Sequence, residues 1–257
     1  MIQFDHVSKT FGKNQVLSDV TFTIDQGNFV TIIGASGCGK TTTLKMINRL
    51  IKPTAGEIYI GGENIRDKDI LQLRRSMGYV IQQTGLFSHM TVRENIEIIP
   101  RLSKADPERT RTRTLELMDL VGMEPDQYLD RYPTELSGGQ QQRIGVARAF
   151  AMDPEIILMD EPFSALDYQT RLMVSADICR LIRQAGKTMI IVTHDLSEAI
   201  SLADKVYVLS ARPATIKAVL PIRLTLPDAS PLAARNAPEF PYYFKQLWEE
   251  LTDETTN

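Results

Sequence analysis

The sequence predicts an α/β fold built on a parallel sheet, with a mainly helical segment inserted near its middle. Two observations predict this fold. Short apolar runs that suit buried strands alternate with longer segments of helical spacing, which is typical of a parallel sheet covered by helices. A glycine-rich turn also joins one apolar run to a helix, and 257 residues are enough for a large core.

The predicted elements follow in chain order. Segment 1–33 should contain strands, and 57–62 fits a strand that ends in a hairpin turn. Further buried strands are expected at 77–82, 155–160 and 189–194, and short strands at 205–209 and 214–220. Helices are expected near 69–76, 110–121, 141–152, 168–185 and 239–251. Thr91 and Glu94 fit a capping box at the start of another helix, and Pro100 and Pro107 should interrupt the helical segment.

Composition and charge narrow the possible partners. The net charge of −3 gives no reason to expect a nucleic-acid partner. Cys38 and Cys179 lack the spacing of metal ligands, which favours thiols in a reducing compartment. No apolar segment reaches the length of a membrane span, and the N-terminus lacks a secretion signal, so we expect the chain in the cytoplasm.

The glycine-rich turn fits a phosphate-binding loop, with Gly34, four further residues, Gly39, Lys40 and Thr41. Gly34, Gly37 and Gly39 would let backbone N–H groups approach a phosphate closely. The N-terminus of the following helix favours an anion, Lys40 adds a positive charge, and the Thr41 hydroxyl can bind Mg²⁺. The alternative is an ordinary glycine-rich turn, but the preceding strand and following helix favour the phosphate loop.

Three other places could contribute to the same chemistry. The segment Ser137-Gly138-Gly139 precedes a predicted helix and offers a second anion site. A buried strand ends in Asp160-Glu161, and another strand ends in His194. A histidine at a strand end is by itself more often structural, and Phe11, upstream of the loop, would by itself be expected only to pack.

These motifs occur in one order: the phosphate loop, Gln82, Leu136 to Gln140, Asp160-Glu161, Ser164 to Asp167, and His194. The chain thereby resembles the nucleotide-binding subunit of ATP-binding-cassette (ABC) transporters over residues 1 to about 210. The resemblance implies a P-loop NTPase core with a parallel sheet, an N-terminal antiparallel β subdomain and a helical subdomain insert. We expect an ATPase domain at 1–210 with the insert at about 88–145, and a C-terminal extension of strand, loop and helix at 211–257.

The resemblance also implies roles for individual residues. Glu161 would be the general base, His194 would contact the γ-phosphate, and Lys40 would hold the β- and γ-phosphates. Mg²⁺ would be held by Thr41, Gln82 and Asp160, and Gln83 is the weaker alternative to Gln82. The residues implied around ATP are Phe11, Gly34, Ser36, Gly37, Cys38, Gly39, Lys40, Thr41, Thr42, Ser137, Gly138, Gly139, Gln140 and Asp167.

In this family, Ser137 and Gly139 would close over ATP bound by a second copy, with Asp167 at the interface. The resemblance therefore implies a head-to-tail homodimer, or a pair with a close homologue, that drives integral membrane permease subunits supplied by a separate substrate-binding protein. The chain would lie peripherally on the cytoplasmic face of the membrane. The helical insert and the Gln82 loop would form the docking cleft, which the apolar pair Leu86-Phe87 suits, although that pair could also pack in the core.

The transported substrate is indicated less directly. Segments 46–50, 80–87 and 94–102 resemble the osmoprotectant branch, whose importers carry quaternary amines such as glycine betaine or choline. The tail, from Leu209 through Pro213 to Leu251, resembles the nitrate, sulfonate and taurine branch instead. We favour the osmoprotectant branch. Two other classes stay open: a soluble, non-transport ABC ATPase, and a regulatory nucleotide-binding module, which the presence of Glu161 and His194 argues against.

Overall fold

The computed structural model describes residues 1–82, 85–226 and 231–252. The strands are β1 (Ile2–Phe11), β2 (Asn14–Ile24), β3 (Phe29–Gly34), β4 (Ala55–Ile60), β5 (Glu63–Asn64), β6 (Met77–Val80), β7 (Ile156–Asp160), β8 (Thr188–Val192), β9 (Lys205–Leu209) and β10 (Ile216–Pro221). The α-helices are α1 (Lys40–Ile47), α2 (Ile70–Arg75), α3 (Val92–Leu102), α4 (Pro107–Leu120), α5 (Pro125–Tyr128), α6 (Gly138–Ala149), α7 (Tyr168–Gln184), α8 (Leu196–Leu202), α9 (Pro231–Arg235) and α10 (Phe240–Thr252). None of the helices in the described residues is both long and apolar enough to cross a lipid bilayer.

The chain divides into two compact units. The first unit comprises Met1–Arg74 and Thr188–Asn257, and the second comprises Arg75–Lys187. Most of the predicted helices therefore belong to the second unit, which contains α3 to α7.

The first unit contains the predicted N-terminal antiparallel sheet, with strand order β2-β1-β4-β5. β1 pairs antiparallel with both β2 and β4, and β4 pairs antiparallel with β5 through the turn at Gly61 and Gly62. The antiparallel β subdomain and the hairpin predicted at 57–62 are therefore confirmed. β2 also carries Val16 and Leu17, whose buried side chains lie against the phosphate loop.

The same unit contains parallel pairing around β3, which lies between β8 and β9. Every residue of β3 and β8 is buried, as the continuous apolar runs predicted. Because β3 and β8 run parallel, their carboxyl ends lie at the same edge of the sheet, where ligands of α/β proteins commonly bind. β10 closes the outer side of β9 in antiparallel pairing.

The C-terminal helix α10 packs on this unit through one apolar face. Leu247 is fully buried, and Phe244 and Leu251 cover the same core cluster. Trp248 of the same helix has 55% of its surface exposed, although its ring stacks on Phe244 with centroids 6.4 Å apart. The helix predicted near 239–251 is confirmed.

The second unit pairs β6 parallel with β7, and its helices begin where local signals place them. The predicted capping box at Thr91 and Glu94 is confirmed at the start of α3. Pro107 is the first residue of α4, as a proline at a helix start should be. The expected interruption at Pro100 is wrong, because Pro100 lies inside the last turn of α3 and is buried there. A proline so near the end removes one backbone donor without ending the helix earlier.

The helix after the Ser-Gly-Gly segment also starts earlier than predicted. We expected residues 141–152, whereas α6 spans Gly138–Ala149. The cause is a capping box: Ser137 Oγ accepts from the Gln140 backbone N–H at 3.3 Å, and Gln140 Oε1 accepts from the Ser137 N–H at 2.9 Å. This reciprocal pair draws both glycines into the first turn.

Candidate nucleotide site

The phosphate loop of the first unit has a backbone that requires glycine at two positions. Gly37 has φ +76° and Gly39 has φ +120°, a region that side chains with a Cβ rarely adopt. A Cβ added to Gly39 would lie 2.8 Å from Leu17 Cδ2 and 2.9 Å from Val16 Cγ1. The glycine spacing in the sequence therefore reflects both the turn itself and the close approach of β2.

Lys40 begins α1 and is almost buried, with 7% of its surface exposed. Its Nζ donates to the carbonyl oxygens of Gly34 and Ala35 at 2.8 and 3.0 Å. Gly39 caps α1 without any side-chain hydrogen bond to the first turn. The N-terminus of α1 and the ammonium group thus provide positive charge at one short loop, as an anion site requires.

The other predicted loop residues differ in accessibility. Ser36 is exposed, Thr41 and Thr42 are half-buried, and Cys38 is buried. Cys38 and Cys179 are both buried and are not joined by a disulfide. The hydroxyl-bearing side chains of Ser36, Thr41 and Thr42 are therefore at least partly accessible, whereas that of Cys38 is not.

Phe11 and His194 also belong to the first unit. Phe11 ends β1 with its ring 45% exposed, and Lys9 Nζ lies 4.6 Å from the ring centroid. His194 is exposed two residues after β8, beside Asp195, whose side chain caps α8. An exposed aromatic ring offers a stacking face, and the exposed imidazole lies beyond the carboxyl end of a strand that neighbours β3.

The second unit brings together three predicted residues. Asp160 ends β7 and has 7% of its surface exposed. Glu161 follows with φ +45°, a conformation that costs about 1–3 kcal/mol in a residue other than glycine. Gln82, two residues after β6, donates from Nε2 to Glu161 Oε2 at 3.1 Å. Ser164 Oγ donates to the Glu161 carbonyl at 3.0 Å and holds the strained turn.

The Ser137 to Gln140 segment forms the capped start of α6. Ser137 and Gly138 are exposed, whereas Gly139 is buried. A Cβ on Gly139 would lie 2.7 Å from Thr170 Cγ2 of α7, so the second glycine allows α6 and α7 to pack closely. Gln140 Nε2 also donates to Tyr128 Oη at 3.2 Å, which fixes the helix start.

Asp167 precedes α7 and is exposed. The side chain and backbone N–H of Thr170 hydrogen-bond to its carboxylate and hold the pKa of Asp167 below its ordinary value. Asp167 is therefore a fixed negative charge on the surface of the second unit.

The sequence analysis did not predict the roles of Asn95 and Arg148, whose side chains form hydrogen bonds to residues of the 85–87 segment. Asn95 is fully buried in α3, and its side chain both accepts from the Phe87 N–H and donates to the Phe87 carbonyl. Arg148 of α6 donates to the Gly85 carbonyl at 2.7 Å, and burial lowers its pKa. For Asn95, the sequence offers one signal of a structural role: it is a polar residue among apolar residues of a helix. Gln83, the weaker alternative to Gln82, lies outside the described residues.

The fold and the loop define a P-loop protein of the α/β class. A sequence profile of the ABC transporter family matches residues 17–164. The chain belongs to the ABC transporter family.

The chain is also similar to curated relatives and to a solved structure. It is 54% identical over 210 residues to the carnitine transport ATP-binding protein OpuCA of Listeria monocytogenes, which covers 81% of this chain and 53% of that protein. It is 53% identical over 212 residues to the choline transport ATP-binding protein OpuBA of Bacillus subtilis, covering 82% and 55%. The chain thus spans about half the length of the curated relatives it matches.

The solved structure is a dimer of the ATP-binding cassette MJ0796 in a post-hydrolysis state, bound to ADP and phosphate. Its TM-score to this chain is 0.76 at 34% sequence identity, over 87% of this chain and 99% of the other.

Proposed function

We propose that this chain is the ATP-hydrolysing subunit of an ABC importer that takes up osmoprotectants of the quaternary-amine class. The catalytic part of the proposal rests on the hydrogen bond between Gln82 and Glu161 at the end of β7. The substrate class is supported by the identity to carnitine and choline transport proteins over 210 and 212 residues.

ATP would be held in the first unit by the loop from Gly34 to Thr42. The backbone N–H groups and Lys40 would bind the phosphates, Ser36 would add a hydroxyl donor, and the exposed ring of Phe11 would stack on the base. His194 would contact the terminal phosphate. The exposure of Phe11, Ser36 and His194 supports these roles, since each side chain is accessible to a ligand.

The donor set fits Mg²⁺, which prefers carboxylate, amide and hydroxyl oxygens and needs few protein ligands when phosphates supply the rest. Thr41, Gln82 and Asp160 would hold the ion, whose positive charge would offset charge that develops on the phosphates. Asp160 is nearly buried at a strand end, so its charge is poorly screened by solvent. Glu161 would accept the proton of the attacking water, and Gln82 would orient that carboxylate.

A second copy would complete each site. Ser137 and Gly138 are exposed at the N-terminus of α6, so the helix could present this end to the phosphates of a partner's ATP. Asp167, exposed and kept ionised by Thr170, would lie at the same interface. The dimeric structure of MJ0796 supports the formation of a dimer.

The chain would act at the cytoplasmic face of the membrane by docking on permease subunits, and a separate binding protein would deliver the substrate. The helical segment at about 88–145 would form the docking surface, and residues 1–210 the ATPase domain. Phe87 supports this role, because its ring is 42% exposed while Asn95 fixes its backbone. An exposed aromatic side chain on a fixed backbone suits an interface. Residues 211–257 would be a short C-terminal extension of strand, loop and helix.

ATP turnover with Mg²⁺ tests the catalytic role. Glu161→Gln should reduce kcat by about 100-fold or more, because it removes the general base, while ATP still binds. Glu155→Gln is the matched control: Glu155 is an exposed carboxylate just before β7 that pairs with Lys187 at 3.3 Å, and its loss should leave kcat unchanged.

Turnover, uptake and co-sedimentation experiments separate the osmoprotectant importer from the other candidate functions. Absence of turnover in the unmodified protein together with its permease would overturn the ATPase assignment. Uptake of labelled choline or carnitine, but not of nitrate or taurine, by cells that express the whole importer would support the osmoprotectant class. The opposite pattern would favour the nitrate, sulfonate and taurine class, and co-sedimentation with ribosomes without permease binding would favour a non-transport role.

A further inference from the structure

The loop between β9 and β10 brings an arginine to the phosphate loop from 175 positions away in the chain. Arg212 Nε donates a hydrogen bond to the Gly37 carbonyl. Its Nη2 lies 3.6 Å from the position that a Cβ on Gly37 would take. Ala211 and Arg212 line a cavity of about 300 Å³ together with residues 35–38 of the phosphate loop.

Arg212 lies in the 210–215 loop, whose two ends are joined by hydrogen bonds. The Ser210 N–H donates to the Thr215 carbonyl at 3.1 Å, and the Thr215 N–H donates to Ser210 Oγ at 2.9 Å. These two bonds hold the ends of the 210–215 loop together. Arg212 therefore projects from a short, hydrogen-bonded turn whose backbone is fixed beside Gly37.

The 210–215 loop is also tied to the strand that supports the phosphate loop. The fully buried Ala214 donates its N–H to the Val16 carbonyl and accepts from the Ser18 N–H, both at 2.9 Å. Val16 and Leu17 of β2 are the residues whose side chains pack closely against Gly39. One connected set of contacts thus holds the phosphate loop at Gly39 through β2 and at Gly37 through Arg212.

The charge of Arg212 is not neutralised within the part of the chain that the structure describes, where it forms no salt bridge. Other cations on the neighbouring strands are paired: Lys205 with Asp25 at 4.0 Å, and Lys217 with Glu250 at 3.6 Å. A guanidinium has five N–H donors, and the bond to Gly37 uses the one on Nε. Arg212 thus offers a net positive charge and further donors beside the cavity at the phosphate loop.

We infer that Arg212 is a positioning residue for ATP binding, which rests on the proposed function. Its bond to the Gly37 carbonyl holds the left-handed turn at that glycine, so that the loop N–H groups stay directed at the phosphates. Its charge adds to that of Lys40 near a strongly anionic ligand. Arg212 does not take part in the chemical step, so its loss should weaken ATP binding more than it slows hydrolysis.

The test compares Arg212→Ala and Arg212→Lys with the unmodified protein. Dissociation constants are measured with a fluorescent ATP analogue, and kcat and KM with ATP and Mg²⁺. Arg212→Ala should raise both the dissociation constant and KM about tenfold, because a hydrogen bond to a charged group contributes that order of affinity, and kcat at saturating ATP should stay within about twofold. Arg212→Lys, which keeps a charged donor, should recover most of the affinity.

Two controls separate positioning from general destabilisation. Arg223→Ala removes another exposed arginine of the same unit, whose backbone N–H donates to the Tyr243 hydroxyl of α10, and it should change neither constant. Raising the salt concentration should narrow the gap in affinity between Arg212→Ala and the unmodified protein, because salt screens the charge contribution. A defect that came only from loss of folding would instead lower Tm and would not be restored by lysine.

Unchanged ATP affinity in Arg212→Ala would overturn the inference, as would an equal loss in Arg223→Ala. A fall in kcat with KM unchanged would also overturn it, because it would assign Arg212 to the chemical step. If the unmodified protein itself binds no ATP, the proposed function fails, and the inference fails with it.

Discussion

The Lys40 side chain is hydrogen-bonded to the backbone of its own loop. Its Nζ donates to Gly34 and Ala35 within the loop, and the residue is almost buried. An ammonium group in this position can exchange carbonyl oxygens for phosphate oxygens over a short distance. In such poorly solvated surroundings the gain from an anionic ligand is larger than at the protein surface.

Lys40→Ala should therefore weaken ATP binding by roughly two orders of magnitude, since truncating one partner of a desolvated charge pair costs about 2–5 kcal/mol. Titration with a fluorescent ATP analogue measures the effect. Lys45→Ala, on the last turn of the same helix, is the control and should bind ATP normally. Normal affinity in Lys40→Ala would contradict the phosphate-loop assignment.

Glu161 is a second residue whose local geometry bears on function. Strained backbone angles persist only where the surroundings hold them, and Ser164 and Gln82 both bond to Glu161 here. The positive φ comes directly after β7, so the chain turns at Glu161 and the strand ends at Asp160. A positive φ at this acidic residue supports the role proposed for it as general base.

At the scale of elements, α10 shows how the C-terminal extension is attached. The helix begins at Phe240 and presents Leu247 to a cluster that includes Ile33 of β3 and Ile200 of α8. Because Ile33 directly precedes the phosphate loop, the extension contributes to the core that supports the loop. β10 and α10 therefore contribute residues to the first unit's core.

Leu247→Ala should lower the free energy of unfolding by about 2–5 kcal/mol, because it removes a fully buried side chain and leaves a cavity. Chemical denaturation monitored by circular dichroism measures the change. Lys245→Ala on the exposed side of the same helix should change stability by less than about 0.5 kcal/mol. Equal stability of both variants would mean that α10 does not pack as described.

At the scale of the whole molecule, the proposed site is incomplete in a single copy. The residues around ATP would come from the phosphate loop of one copy and from the start of α6 in another. Hydrolysis would then depend on association, and association on bound ATP. Closing and opening of the dimer would be the motion that drives the permease.

Ser137→Arg should abolish turnover and ATP-dependent dimerisation, because a bulky cation would occupy the exposed start of α6. ATP binding by single copies should be unchanged. Thr134→Arg, on an exposed residue of the preceding turn, adds the same charge and should retain most activity. Turnover assays and analytical ultracentrifugation with ATP check both variants, and normal turnover in Ser137→Arg would exclude composite sites.

The fold class and the chemistry of the motifs follow from the order of residues alone. Apolar runs fixed β3 and β8 because buried parallel strands need apolar residues on both faces. The spacing from Gly34 to Thr41 specified the phosphate loop because only glycines allow its backbone angles and the close approach of β2. Such local requirements are written into consecutive residues and can be read from them.

Contacts between distant residues, in contrast, became known only from the folded chain. Three contacts are examples: the hydrogen bond between Arg212 and Gly37, the packing of Leu247 in the cluster that contains Ile33, and the hydrogen bond between Asn95 and Phe87. No periodic pattern in the sequence relates the residues of these pairs. The start of α6 at Gly138, by contrast, follows from the Ser137-x-x-Gln140 capping box, a sequence pattern that the prediction of 141–152 did not use. Local conformation follows from neighbours in the chain, whereas contacts between distant segments depend on how the folded elements pack in space.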